Sequence, residues 1–204
     1  MGFYDDQVLP RLINVMLGNR EFAKVRDEVC ADLHGDVVEI GYGSGLSIPH
    51  LPAAVTGLWG VDPAAVGRKL AAKRVAASTI PIHEAGLDAQ RLDLPDDRFD
   101  CALSTMTLCT IPDVQHALGE VRRVLKPGGS FHFAEHGLSP DAKVAHTQDR
   151  FDGLEQRIAG GCHLNRDIRT LVTDSGLEIE SLRNFYLKGP KAWSYMNVGI
   201  ARNP

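Results

Sequence analysis

A glycine-rich segment, Glu39-Ile40-Gly41-Tyr42-Gly43-Ser44-Gly45, completes a short apolar run at residues 36–40. The run has the composition of a buried strand, and glycines at its end let the backbone turn tightly and approach a ligand with no Cβ in between. Asp62 lies 21 residues after Gly41, at the end of the next predicted strand. An acid at this spacing typically accepts hydrogen bonds from two ribose hydroxyls. The two features together predict a nucleotide-type site.

The spacing of the glycines distinguishes two kinds of nucleotide ligand. A dinucleotide fingerprint, G-x-G-x-x-G, would need glycine at position 46, where this chain has Leu46. The chain instead has G-x-G-x-G, with an acid, Glu39, two positions before the first glycine. This pattern favours S-adenosylmethionine over a dinucleotide, and a tight turn without a ligand is the remaining alternative.

Short β-type runs alternate with amphipathic helical patterns along the rest of the chain, which favours a parallel α/β sheet. The last two predicted strands are joined by a short connection and should therefore be antiparallel. We expect an α/β, Rossmann-like, seven-stranded, mostly parallel sheet with an antiparallel last strand and helices on both faces. The predicted strands are 36–40, 58–61, 79–83, 99–104, 130–135, 177–186 and 193–201. The predicted helices are 6–17, 20–33, 64–77, a helix capped by Asp113, 141–158, and a helix capped by Asn165. In helix 141–158, we expect Val144, Phe151, Leu154 and Ile158 to face inward.

Composition narrows the partners and the location that we expect. The 204 residues contain 22 Lys and Arg against 26 Asp and Glu, a net charge of −4, which lacks the basic excess of a nucleic-acid binder. No apolar run approaches the roughly 18 residues of a membrane span, and no leader pattern opens the chain. Its four scattered cysteines predict reduced thiols in a cytoplasmic protein. We expect no nucleic-acid partner and no integral membrane segment; the oligomeric state stays open.

Five segments in order resemble the class I S-adenosylmethionine-dependent methyltransferases of the methyltransferase type 11 group. The first two are the glycine segment and Trp59-Gly60-Val61-Asp62. The others are residues 87–95, which resemble the adenine loop, Arg98-Phe99-Asp100 and Leu125-Lys126-Pro127-Gly128-Gly129. The resemblance covers residues 35–202. It implies S-adenosylmethionine as cofactor and divides the chain into a helical cap at 1–34 and a methyltransferase domain at 35–204, within one compact unit overall.

The resemblance also implies which residues hold the cofactor. Gly41, Gly43 and Gly45 would face its amino-acid end together with Glu39, and Asp62 would hold the ribose. Asp88 would accept from the adenine amino group, the Ala89 backbone N–H would meet a ring nitrogen, and Thr105 would lie near the methionyl part. A solvated loop carboxylate is the alternative for Asp88. Phe3 and Tyr4 are candidates to close the pocket, with an ordinary exposed helix start as the alternative.

A narrower similarity concerns the methyl acceptor. Residues 104–109, Glu135-His136 and residues 161–166 are similar to segments of small methyltransferases that act on alkyl thiols. Tyr42 and Gln90 depart from the residues usual in the wider family, but neither change removes a group needed for the cofactor. We therefore expect a small, apolar thiol as acceptor. The alternatives are O-, N- or C-methylation of a phenol, quinone or amine, and a cofactor-binding scaffold without turnover.

Methyl transfer from a sulfonium needs alignment more than it needs a nucleophilic residue, so few catalytic groups are expected. His136, at the predicted carboxyl end of the fifth strand, is the candidate general base, with packing at the pocket rim as the alternative. Thr107 and Cys109 are candidates for the acceptor pocket. Cys162 and His163 adjoin in the chain without a second ligand pair, so their spacing predicts no metal site.

Overall fold

Seven strands form one sheet in the computed structural model, which describes residues 4–204. A π-helical turn, Tyr4–Val8, precedes the first helix, and a short 3-10 turn, Ile48–His50, follows the glycine segment. The strands are β1 Gly35–Ile40, β2 Val55–Val61, β3 Ile82–Gly86, β4 Phe99–Thr105, β5 Leu125–His136, β6 Glu178–Tyr186 and β7 Tyr195–Arg202. The helices are α1 Leu9–Leu17, α2 Arg20–Cys30, α3 Ala65–Ala77, α4 Val114–Val124, α5 Ala142–Ile158, α6 Ile168–Asp174 and α7 Lys191–Ser194.

The strand order is β3-β2-β1-β4-β5-β7-β6. The five strands from β1 to β5 pair in parallel, whereas β7 is antiparallel to both β5 and β6. The predicted fold class is therefore confirmed, including the antiparallel last strand. The order reverses between β1 and β4, and open α/β sheets bind ligands at the carboxyl ends of the strands beside such a switch.

Helices cover both faces of the sheet, as predicted. On one face α4 and α6 pack against the phenylalanines of β4 and β5; on the other, α2 and α3 bury Val25, Val29 and Ala71. Burial of an apolar helix face at roughly 25 cal/mol per Å² is the main force that fixes these helices. Helix α2 packs into the core on one face of the sheet together with strand residues. The division into a cap at 1–34 and a domain at 35–204 stays a prediction.

The apolar face predicted for the fifth helix is wrong beyond its first turn. Val144 is buried, but Phe151, Leu154 and Ile158 are 38%, 52% and 48% exposed. The buried side of α5 instead contains Gln148, whose amide bonds the backbone of Gly137, Ser139 and Ala192. A buried amide that joins the loop after β5 to α7 holds the helix here, so periodicity of apolar residues misidentified the inward face.

Several predicted boundaries also move. The third strand lies at 82–86 rather than 79–83, and the last strand begins at Tyr195, because Trp193 belongs to α7. Asn165 is not the cap of α6: it donates to Asp149, and Asp167 accepts from the Thr170 N–H in its place. Asp113 does cap α4, through the His116 N–H. Among the described residues, no helix combines the length and apolarity that crossing a membrane requires.

Candidate active site

The glycine segment forms a tight turn held against β2. The N–H groups of Gly41 and Tyr42 donate to the Val61 carbonyl at 2.9 and 3.3 Å, and Gly45 donates to Tyr42 at 2.9 Å. All three glycines have positive φ, +70° at Gly41, +52° at Gly43 and +67° at Gly45, a region that L-residues with a side chain rarely adopt. Conformation alone therefore favours glycine at each of these positions.

Gly41 and Gly43 differ in what surrounds them. A Cβ at Gly41 would stand 1.9 Å from the Thr107 hydroxyl, so the loop after β4 uses the space that the missing side chain leaves. A Cβ at Gly43 would meet no protein atom nearer than 3.7 Å, and the Asp62 carboxylate lies 3.9 Å away. The surface beside Gly43 and Asp62 is thus an open cradle that a side chain at position 43 would fill.

Asp62 is fixed by two backbone groups. One carboxylate oxygen accepts from the Gly43 N–H at 2.9 Å and the other from the Ala64 N–H at 2.7 Å. Burial raises the pKa of Asp62, against the effect of these two bonds. Each carboxylate oxygen can accept more than one hydrogen bond, so the carboxylate can hold two hydroxyls without losing its own support. This geometry suits the predicted ribose role.

Tyr42 departs from the family pattern, and its side chain is accommodated because the neighbouring strand has a glycine beside it. Its ring lies against Gly60 of β2, where a Cβ would stand 2.6 Å from the ring carbon Cγ. The side chain is buried, and its hydroxyl has no hydrogen-bond partner among the described residues. No local pattern in the sequence connects these two positions. The available signal was Gly60 within a buried strand, since glycine inside a strand marks a close approach of another group.

Glu39 lies fully buried below the glycine turn at the end of β1. The Ser47 hydroxyl donates to its carboxylate, 2.7 Å from one oxygen and 2.6 Å from the other. Burial raises the pKa of Glu39 to about 8, although the Ser47 bond and the charge of Arg26 both act to lower it. With this pKa, the Glu39 carboxyl is largely protonated at neutral pH. A cationic group placed beside it would lower its pKa and favour the carboxylate.

The predicted adenine loop begins next to Asp62, because the Asp62 N–H donates to the Gly86 carbonyl at 3.2 Å. Asp88 itself is exposed and accepts from the backbone and side-chain N–H groups of Gln90, which lowers its pKa. The side-chain oxygen Oε1 of Gln90 then accepts from the Asp113 N–H at 2.8 Å. Gln90 therefore ties the loop to the start of α4, while Ala89 packs on the core.

Glu135 organises the loop that follows β4, a role that sequence analysis missed. Its fully buried carboxylate accepts from the Ser104 hydroxyl at 2.7 Å, from the Thr107 N–H at 2.8 Å and from the Leu108 N–H at 3.1 Å. Burial raises its pKa to about 7. The loop contains Met106 at a φ of +56°, an unfavourable conformation for a side-chain-bearing residue. The Glu135 carboxylate thus holds a strained loop directly after Thr105.

His136 ends β5 and meets two cysteines from distant segments. Its Nε2 lies 3.2 Å from the Sγ of Cys162, and its Nδ1 is buried without a partner among the described residues. A hydrogen bond from Cys109 and the His136 imidazole lower the pKa of Cys162 to about 5, whereas the Cys109 thiol has its pKa raised. Burial lowers the pKa of the His136 imidazole, but the effects of Cys162 and Glu135 are opposite, and the pKa is raised overall. The donor atoms of Cys109, His136 and Cys162 all lie within 4.8 Å of one another.

His163 takes no part in this group. It contacts Asp152 and Gln156, while its backbone N–H donates to the Cys109 carbonyl. Tyr4 donates to the Ile158 carbonyl at the end of α5, and Phe3 lies outside the described residues. The structure therefore gathers the glycine turn, Asp62, Thr105, Glu135 and His136 at the carboxyl edge of the sheet. It leaves Asp88 exposed beside them.

Comparisons with known proteins agree with this geometry. Residues 38–133 match the family model described as a methyltransferase domain. Thiol S-methyltransferase TMT1B of Rattus norvegicus is 29% identical over 150 residues, which are 72% of this chain and 61% of that protein. Phosphatidylethanolamine N-methyltransferase of Cereibacter sphaeroides is 25% identical over 154 residues, 71% of each chain. The chain thus spans about three fifths of the length of the first of these relatives.

A solved structure shows the same fold. A crystal structure from Bacillus halodurans, assigned to the methyltransferases, superposes with a TM-score of 0.75 over 90% of this chain and 99% of that one, at 15% identity. Residues 38–133 thus resemble a methyltransferase domain, and the chain has the fold of the Bacillus halodurans protein. S-adenosylmethionine is the cofactor that these similarities imply, and the cradle beside Gly43 and Asp62 leaves room for it.

Proposed function

We propose that this chain transfers a methyl group from S-adenosylmethionine to a small molecule, and that the favoured acceptor is an apolar thiol. The carrying observation is the position of His136 at the end of β5, with Nδ1 buried and unpartnered among the described residues. The thiol S-methyltransferase relatives support the choice of acceptor. S-adenosylmethionine, when bound, supplies an electrophilic methyl group on a sulfonium.

Binding of the cofactor is assigned to the residues around the glycine turn. The backbone at Gly41, Gly43 and Gly45 allows close approach, and Asp62 accepts from the ribose hydroxyls. Glu39 supports the turn from below through Ser47, and a cationic cofactor placed beside it would favour its ionised form. Asp88 and Ala89 are assigned to the adenine and Thr105 to the methionyl part, in loops fixed by Gln90 and Glu135.

His136 is proposed as the general base. Its Nε2 faces Cys162, which leaves Nδ1 as the atom that accepts the proton of the acceptor thiol. A free thiol has a pKa of about 8.5 and is a strong nucleophile once ionised, so the required help is modest. Alignment of acceptor sulfur and methyl group supplies the larger part, roughly 7–11 kcal/mol in well-oriented systems.

A panel of acceptors tests this proposal. The full chain is incubated with S-adenosylmethionine and alkyl thiols, aryl thiols, phenols or amines, and release of S-adenosylhomocysteine is measured. We expect turnover with apolar thiols above all. Efficient methylation of phenols or amines with no thiol activity would reject the thiol acceptor and leave the methyltransferase activity standing.

The same measurements distinguish two alternatives. The phosphatidylethanolamine N-methyltransferase relative favours an amine acceptor, which the amine arm of the panel addresses. A scaffold that binds the cofactor without turnover would bind S-adenosylmethionine in calorimetry yet release no product with any acceptor. Those two results together would reject the proposed catalysis and favour the scaffold.

A further inference from the structure

The group formed by Cys109, His136 and Cys162 is built from three separate parts of the chain. Cys109 follows β4, His136 ends β5, and Cys162 lies between α5 and α6. All three side chains are buried, with 3%, 4% and 8% of their surface exposed. The chain separations of 27 and 26 residues explain why spacing along the sequence predicted no such group.

A glycine turn and backbone hydrogen bonds fix the position of Cys162. Gly160 and Gly161 have φ values of +63° and +87°, and this turn brings the chain back toward β4. The Cys162 N–H donates to the Ala159 carbonyl at 3.2 Å, and the His163 N–H donates to the Cys109 carbonyl at 2.9 Å. The two cysteine segments are therefore directly hydrogen-bonded to each other, and their thiols face the same imidazole.

Thiolate and imidazole are the ligands that zinc prefers. Bond lengths of about 2.3 Å to sulfur and about 2.0 Å to nitrogen place the ligand atoms of a tetrahedral zinc site roughly 3.5–3.8 Å apart. Here the Cys162 Sγ and His136 Nε2 are 3.2 Å apart, and every pair of donors lies within 4.8 Å. Side-chain shifts of about 1 Å would complete the geometry, and two thiolates would balance a divalent charge.

We propose that Cys109, His136 and Cys162 form a binding site for a thiophilic divalent cation, with Zn²⁺ as the reference ion. Three protein ligands leave the fourth tetrahedral position open. Binding at Nε2 fixes the remaining imidazole proton on Nδ1, so that nitrogen can no longer accept a proton. The cation and the proton of the acceptor therefore compete for one side chain. This competition rests on the proposed function, whereas binding of the cation does not.

Titration of the reduced, metal-free full chain with Co²⁺, a spectroscopic substitute for Zn²⁺, tests the site. We expect one equivalent to bind with a sulfur-to-metal charge-transfer absorption that Zn²⁺ then abolishes. Cys162→Ser and His136→Asn should weaken binding by about 100-fold or more, since even changes to groups behind the ligands cost 10- to 100-fold. Cys101→Ser is the matched control, because this buried thiol lies elsewhere, against Ser130.

A measurement on the wild-type chain avoids any dependence on how the variants fold. The reduced protein is treated with a thiol alkylating reagent with and without Zn²⁺, and modified peptides are measured by mass spectrometry in mild denaturant. We expect Zn²⁺ to protect Cys109 and Cys162 but not Cys30 or Cys101. Equal alkylation of all four cysteines, or Co²⁺ binding without the charge-transfer absorption, would overturn the site. Neither result would affect a methyl transfer measured in chelator.

Discussion

The ring of Tyr42 occupies the space that a side chain at Gly60 would need. Tyr42 belongs to the glycine turn after β1 and Gly60 to the neighbouring strand β2, so the turn and the strand pack directly on each other. The substitution that distinguishes the glycine turn of this chain is thus matched by a glycine about 20 residues later in the sequence. The shape of the glycine turn and the packing of β2 depend on the same contact.

Gly60→Ala should destabilise the protein, because its Cβ would lie 2.6 Å from the Tyr42 ring carbon Cγ. Overpacking of this kind costs about 1–3 kcal/mol, and a chain of this size loses about 2–4 °C in Tm per kcal/mol. Gly119→Ala is the control: this exposed helical glycine has open space around it, and alanine should stabilise by about 0.5–1 kcal/mol. Thermal unfolding of both variants checks the contrast; an unchanged Tm for Gly60→Ala would contradict it.

Asp62→Ala should weaken binding of S-adenosylmethionine by about 10- to 150-fold, since a lost hydrogen bond to a charged group costs roughly 1.5–3 kcal/mol. The substitution also removes acceptors from the Gly43 and Ala64 N–H groups, so Asp62→Asn, which keeps one carbonyl oxygen, should lose less. Calorimetry measures all three affinities. Glu180→Gln, on the exposed edge strand β6, serves as control; an Asp62→Ala variant that binds like it would exclude the ribose role.

Glu39 should make stability decrease as pH rises toward 8. Its pKa is about 8 when folded and about 4.3 in an unfolded chain, so the folded state binds more protons between these values. The stabilisation is complete below the unfolded pKa and is lost as pH rises through the folded one. Arg26, Asp62 and Ser47 are the charged and polar neighbours that shape this pKa. Urea unfolding between pH 5 and 8.5 measures the slope, which Glu39→Gln should reduce; an equal slope in both proteins would contradict the assignment.

His136→Ala should lower turnover of a thiol acceptor by about 10- to 100-fold, at the lower end of general-base effects. Binding of S-adenosylmethionine should change little, because the imidazole is assigned to the acceptor. His163→Ala provides the comparison, since His163 follows Cys162 in the chain but contacts Asp152. Turnover and affinity measured on both variants separate the roles. Equal losses for the two histidines would remove the special role of His136.

Methyl transfer should continue in the presence of a chelator, because alignment and a single base suffice for a thiol acceptor. Added Zn²⁺ should lower turnover by taking the His136 imidazole, and the chelator should restore it. Rates with chelator, with Zn²⁺, and with Zn²⁺ followed by chelator check this directly. A metal requirement for turnover would instead reject His136 as the base.

Sequence alone determined the fold class and predicted the glycine turn with its neighbouring acid, because both depend on signals local in the chain. The strand before Gly41, the turn that follows it and the acid at Asp62 lie within 30 residues. Backbone geometry favours glycine where φ is positive, and an acid at the end of the second strand is a pattern of residue type, so both can be recognised in the sequence directly. Boundaries shifted by up to five residues, most at the fifth strand, which begins at Leu125 rather than at residue 130.

Tertiary structure decided what joins distant segments. Glu135 supports the loop after Thr105 from 30 residues away, and Gln148 turned the predicted apolar face of α5 toward solvent. Cys109, His136 and Cys162 meet only because β4 and β5 are neighbours and a glycine turn returns the chain to them. Contacts of this kind depend on which strands pair and on which buried polar groups need hydrogen-bond partners. Neither the strand pairing nor the partners can be predicted from a local pattern of residue types.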